Sequence, residues 1–109
     1  MRTAQTIEFD GVGGVTLVAD EWNRGAHVDG EAAGHPTILM LHGGGQNRHS
    51  WHKTGQILAD RGFHVVALDT RGHGDSDRAP NADYAIETLT ADAIAVIEAI
   101  GRPVALIGA

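Results

Sequence analysis

The sequence predicts an α/β domain: a β-hairpin, then parallel strands joined by crossover helices. Three observations predict it. The runs 37–41 and 63–68 are apolar without alternation, as in strands covered on both faces. A segment with helical periodicity follows each run, and strands that alternate with helices imply a parallel sheet. The two densest glycine clusters come directly after those runs, at the strand ends where such sheets gather their chemistry.

The elements follow in order. Residues 6–9 read as a short strand, and Asp10-Gly11-Val12-Gly13-Gly14 as a turn that accepts positive φ. Residues 15–21 read as a second strand, with Leu17 and Ala19 alternating against Thr16 and Val18, which completes a hairpin. Residues 24–35 are polar, carry Gly25, Gly30 and Gly34, and are expected to form a mobile surface loop. The third strand, 37–41, is bounded by Pro36 and Gly43. A helix is expected over 50–61, capped by Ser50 and ended by Gly62, with Trp51, Gly55 and Leu58 on one face. The fourth strand, 63–68, leads into a long loop over 69–83 rich in Gly, Asp and Arg. Leu89, Ala93, Val96, Ile97 and Ile100 have helical spacing over 87–100, and Gly101 with Pro103 stops that helix. A last strand, 104–107, delivers the chain to Gly108-Ala109. There is no internal repeat, and residues 1–109 read as one segment of a single domain.

Composition narrows the function. A net charge of −6 argues against a general nucleic-acid binder, which needs a basic face. The lack of cysteine excludes disulfides and thiolate zinc sites. No apolar run approaches the roughly 20 residues that span a bilayer, and no signal-peptide core follows Met1-Arg2-Thr3. A cytoplasmic protein without membrane or nucleic-acid partners is the expectation.

The first motif is Leu41-His42-Gly43-Gly44-Gly45-Gln46, directly after a buried strand. Successive glycines leave backbone N–H groups unshielded, and such groups near a helix start can hold an anion or a developing oxyanion. A turn that merely connects strand to helix would look the same. A dinucleotide site would need glycine at 48, where Arg48 stands, although Asp69 ends the next strand as a ribose-binding acid would. A P-loop fails because no Gly-Lys-Ser/Thr follows. No cofactor is expected.

The second motif is Asp69-Thr70-Arg71-Gly72-His73-Gly74-Asp75-Ser76-Asp77. Its aspartates and histidine invite a metal reading, but the spacing of a calcium loop is absent. It reads as a structured loop, with aspartates accepting from backbone N–H groups and Arg71 pairing locally. His49 and His52 lie three apart, near His42 in sequence, but nothing marks a third ligand and its second shell, so they read as surface or pocket-edge groups. His73, between glycines, reads as a buried hydrogen-bonding post. No metal site is expected.

Together the two motifs, with Trp51 between them and Val104-Ala105-Leu106-Ile107-Gly108-Ala109 after the second helix, resemble the α/β-hydrolase fold family over nearly the whole chain. The resemblance implies that His42-Gly43-Gly44 is the oxyanion loop, with Gly44 supplying a backbone N–H and Gly43 a candidate second donor. It implies that Asp69, Arg71, Gly72 and His73 belong to the loop that shapes the active-site floor, and that Gln46 and Trp51 lie at the pocket mouth. Gly108-Ala109 resembles the first two residues of the nucleophile elbow Gly-x-Ser-x-Gly. The nucleophile would be the next residue, with the acid and histidine later still.

The sequence is therefore expected to be the N-terminal portion of an α/β-hydrolase sheet, incomplete as given and inactive alone. Its last strand would otherwise be an apolar parallel edge, which proteins normally cover. A fragment, a piece of a cleaved protein, or a chain broken at a modified residue would each explain the end at Ala109. The complete protein is expected to hydrolyse an ester, lactone or amide bond of a small molecule, using serine, because small residues often precede serine in this family. Its other partner would be the remainder of its own polypeptide. An aspartate nucleophile, giving epoxide or haloalkane hydrolysis, and a non-catalytic binding module are the alternatives.

Overall fold

The computed structural model describes residues 3–25 and 35–109. The strands are β1 Gln5–Asp10, β2 Thr16–Trp22, β3 Thr37–Leu41, β4 Val65–Leu68 and β5 Val104–Gly108; the helices are α1 His52–Asp60 and α2 Ile86–Ile100. They form one five-stranded sheet in the order β1-β2-β4-β3-β5. β3, β4 and β5 run parallel, as expected. The hairpin β1–β2 joins that sheet antiparallel to β4, not to its sequence neighbour β3. Of the expected loop at 24–35, residues 26–34 lie outside the described residues.

Side chains alternate across a strand, so the sheet builds two cores. On the α2 face, Leu17, Ala19, Leu39, Val66 and Leu68 pack with Val96. On the α1 face, Trp22, Met40, Val65 and Ala67 pack with Ala59. β4 supplies both faces, which is why its sequence reads as an unbroken apolar run. The alternation expected for β2 does not set one face against solvent: Val18, Asp20 and Trp22 are buried opposite Leu17 and Ala19. The strand lies between β1 and β4 and is covered on both sides. The Trp22 ring presses on α1 so closely that a Cβ at Gly55 would lie 2.8 Å from it.

Ser50 does not cap the first helix. A 3₁₀ turn at Arg48–Trp51 precedes α1, and Asn47 caps that turn by accepting the His49 N–H. A capping side chain serves the first turn that exists, and here that turn begins earlier. α2 ends as expected, on Gly101 at φ +74 with its N–H donating to the Ile97 carbonyl. β5 forms one edge of the sheet, and Leu106 on it is 57% exposed, as are large parts of Ile86 and Ile94 on α2. Among the described residues, no helix is long and apolar enough to cross a membrane.

Candidate active site

The C-terminal ends of β3 and β5 meet at the glycine turn. The Ala109 N–H donates to the Leu41 carbonyl at 3.2 Å, which extends the β3–β5 register past Gly108. The Gly43 carbonyl accepts the Gln46 N–H at 3.1 Å, closing a four-residue turn, and Gly45 at its third position has φ +77. That is the conformation of a type II turn, which selects glycine there. A Cβ built on Gly43 would lie 3.7 Å from the Ala109 carbonyl oxygen, so the turn and the end of β5 are in contact.

The two glycine amides differ. The Gly43 N–H donates to the Gln46 side-chain oxygen at 3.0 Å, so it is already engaged. The Gly44 N–H has no partner among the described residues, and a Cβ there would meet nothing within 4 Å. Gly44 thus offers an open donor in an exposed position near the end of β5; among the described residues the Gly45 N–H has no partner either.

His42 holds the turn from beneath. The Thr70 N–H donates to its Nε2 at 3.1 Å. An amide can only donate, so the imidazole proton is on Nδ1, which donates to the Gly43 carbonyl at 2.8 Å. The Thr70 hydroxyl lies 3.2 Å from the same Nε2 and 3.1 Å from His73 Nδ1. The His42 and His73 rings stand 4.9 Å apart, and His73 Nδ1 also reaches the Arg71 carbonyl at 3.1 Å. His73 is thus a hydrogen-bonding post, half-buried and not fully buried.

Gln46 is exposed and folds back on its own turn. Trp51 is half-buried against the α1-side core, with its indole N–H buried and unpartnered. A cavity of about 390 Å³ opens on the other face, lined by Leu41, His42, Leu68, Thr70, Leu89 and Leu106 among others. Neither Gln46 nor Trp51 lines it.

The Asp69–Asp77 loop is fastened by its polar side chains. The aspartates do accept backbone N–H groups: Asp69 those of Arg48 and Asp75, and Asp77 that of Thr16. Ser76 donates to the Asp69 carbonyl at 2.6 Å and accepts the Val18 N–H at 2.8 Å, so this serine is committed to structure. Gly72, at φ +79, lies against the Tyr84 ring, and Gly74, at φ +52, against the Asp69 carboxylate; any side chain at either would collide. Arg71 pairs mainly outside its loop, within which it reaches only the Asp83 carbonyl, at 3.3 Å. It forks onto Asp92 of α2 with Nε at 2.7 Å and Nη2 at 3.0 Å, and reaches the Val12 carbonyl at 2.9 Å. The bond to Asp92, acting against burial, holds the Arg71 guanidinium above its ordinary value.

Two buried features have no counterpart in the sequence reading. Arg48 is buried, and its guanidinium contacts Asp69, Asp75 at 2.9 Å and Asp20 at 3.0 Å. The Asp20 contact is an ion pair by distance only, since the Nε–H is not aimed at the oxygen. Burial pushes the Asp69 carboxyl up, but the Asp75 and Arg48 N–H groups and the Arg48 guanidinium outweigh it and hold the carboxyl below the usual carboxylate range. At the opposite end of the sheet, Thr37 Oγ1 lies 2.7 Å from His64 Nδ1, and His64 Nε2 lies 2.8 Å from Glu21. This row has the residue types of a nucleophilic triad, but Thr37 is 0% exposed, so it pins β2, β3 and β4 and meets no substrate. Among the described residues, no group of His, Cys, Asp and Glu is arranged to hold a metal ion.

A sheet in this order, with an open glycine-turn amide beside the end of β5, defines an α/β-hydrolase. Residues 36–108 match the family described as alpha/beta hydrolase fold, and the chain belongs to that family. It is 36% identical over 75 residues to epoxide hydrolase A of Mycobacterium tuberculosis (strain ATCC 25618 / H37Rv), covering 68% of this chain and 23% of that protein. It is 40% identical over 78 residues to protein phosphatase methylesterase 1 of Mus musculus, covering 67% of this chain and 20% of that protein. The crystal structure of epoxide hydrolase VrEH1 from Vigna radiata superposes with a TM-score of 0.74 at 29% identity, over 98% of this chain and 31% of that one. The chain thus spans about a quarter or less of these two curated relatives and under a third of that structure.

Proposed function

We propose that the complete protein hydrolyses an ester-like bond of a small molecule, with a serine directly after Ala109 as nucleophile and the Gly44 N–H as one oxyanion donor. The observation that carries this is the contact between the glycine turn and the end of β5: Ala109 is bonded to Leu41 and its carbonyl lies beside Gly43, while the neighbouring Gly44 N–H is open. A nucleophile one residue further would face that amide. In the step proposed, the histidine expected later in the chain takes the serine proton as the serine oxygen adds to the carbonyl carbon, and the negative charge moves to the carbonyl oxygen, where a preorganised N–H stabilises it. The bond to the leaving alcohol then breaks, the alcohol departs with a proton, and water hydrolyses the acyl-enzyme. His42 and Gln46 keep the turn in shape and do not touch the reacting atoms.

The test is to assay the complete protein with p-nitrophenyl butyrate and, in parallel, with styrene oxide. Release of p-nitrophenol that saturates with substrate supports the serine reading. Turnover of the epoxide alone supports the second reading, an aspartate at the same position, which the match to epoxide hydrolase A favours. Turnover of neither would contradict both and favour a non-catalytic module.

A further inference from the structure

We propose that Arg48 is a positioning residue for the oxyanion turn, holding the Gly44 N–H in place by clamping the far end of the turn to Asp69. The inference rests on the reading of Gly44 given above. The turn has two ends. The near end is fixed by His42 and Gln46, which bond the Gly43 carbonyl and N–H. The far end is Arg48, two residues beyond Gln46. Its backbone N–H donates to Asp69 Oδ1 at 2.6 Å, and its own guanidinium grips the other oxygen of the same carboxylate. One residue therefore seizes one carboxylate by both backbone and side chain.

Asp69 is itself held: it directly follows β4, is fully buried, donates its N–H to the Val18 carbonyl at 2.9 Å, and also accepts the Asp75 N–H at 2.9 Å. The guanidinium then reaches outward to Asp20 on β2 and to Asp75, whose side chain is 70% exposed. Residues 44–47 are thus strung between two fixed points, with Asn47 bonded to the His49 N–H just before the second. The Arg48 Nη1 bonds both Asp69 and Asp75, while its Nε faces Asp20 at 3.0 Å by charge alone, so two separate nitrogens meet three carboxylates. A lysine nitrogen keeps the charge but is a single point, so it cannot reproduce that geometry.

The test uses the complete protein with Arg48→Lys, read by amide hydrogen exchange and by steady-state kinetics. The expected result is exchange at the two hydrogen-bonded amides of the turn, Gln46 and Arg48, faster by about tenfold or more, with β4 amides unchanged, because the opening is local. On p-nitrophenyl butyrate, kcat should fall about tenfold or more while KM stays within about twofold, as for an interaction made only in the transition state. Should Arg48→Lys fail to fold, Asp75→Asn removes one exposed arm of the clamp and should raise exchange at the Gln46 and Arg48 amides about threefold with β4 again unchanged. Exchange at Gln46 and Arg48 that stays at the wild-type rate would overturn the proposal, as would a rise spread equally over β4, which would mark a purely structural role. If the wild type does not turn over the ester, the hydrolase reading fails, and the exchange measurement still decides the role of Arg48.

Discussion

The Ala109 N–H donates to the Leu41 carbonyl at 3.2 Å, and this bond sets the end of β5 against the glycine turn. Leu41 directly precedes His42-Gly43-Gly44. Strand register alone therefore brings the end of one strand to the open amide that follows the other.

Gly44 stands at the second position of the turn closed by Gly43 and Gln46. Proline is favoured there, and it has no N–H. Gly44→Pro should keep the turn while deleting the donor. We expect kcat on the ester to fall by about 10²–10³, the usual effect of losing one oxyanion donor, with the melting temperature unchanged. Stopped-assay kinetics with parallel calorimetry checks this; an unchanged kcat would remove Gly44 from the mechanism.

Asp69→Asn removes the buried partner of Arg48 and should cost about 3–5 kcal/mol near neutral pH, as for other broken buried pairs. The folded-state pKa of Asp69 is depressed. Its contribution is therefore fully present above the unfolded value, about 3.9, and is lost as pH falls through the lower folded value. Urea denaturation of both proteins should show a constant stability gap above about pH 4 and a narrowing one below it. A gap that instead narrows as pH rises would contradict the assignment.

Arg71 and Asp92 tie the loop after β4 to α2 and, through the Val12 N–H and carbonyl, to the hairpin. Asp92→Ala leaves a buried guanidinium unpaired and should destabilise by about 3–5 kcal/mol. Replacing both partners with apolar residues should recover much of the loss, because burying an ion pair is itself costly. A double-mutant cycle in urea measures the coupling, and additive losses would show that the pair is not a unit.

Gly55 faces the Trp22 ring at a distance that leaves no room for a methyl group. Gly55→Ala should destabilise by about 1–3 kcal/mol through overpacking, although alanine is the better helix former. Thermal denaturation checks the sign; a stabilised variant would show that α1 can shift away from the sheet.

Much of this fold could be read from local pattern. The runs in β3 and β4 are apolar because both faces of the parallel strands are covered, and α2 carries its stripe at helical spacing. The glycine turn was legible as a turn for the same kind of reason, since successive glycines after a buried strand let the chain bend sharply, although a plain connection would look the same. Interactions between distant elements were not legible. Arg48 appeared in the sequence only as the residue where a dinucleotide site needs glycine, because Asp20, Asp69 and Asp75 converge on it from three separate places. Arg71 found its partner 21 residues away, not within its loop. A signal for Asp92 did exist: it lies three residues after Leu89 and four before Val96, so it is a carboxylate on the apolar stripe, and such a group needs a buried cation. The hydrogen bond from Gly43 to Gln46, which engages the first glycine amide of the turn, depends on a side-chain rotamer that no spacing reveals.

The most direct measurement is covalent capture. The complete protein is treated with a fluorophosphonate, which an activated serine attacks with loss of fluoride, and the adduct is located by peptide mass spectrometry. The prediction is a single phosphonylated serine immediately after Ala109, formed in step with the loss of ester turnover. An adduct elsewhere, or full ester turnover by protein that carries no adduct, would contradict the account.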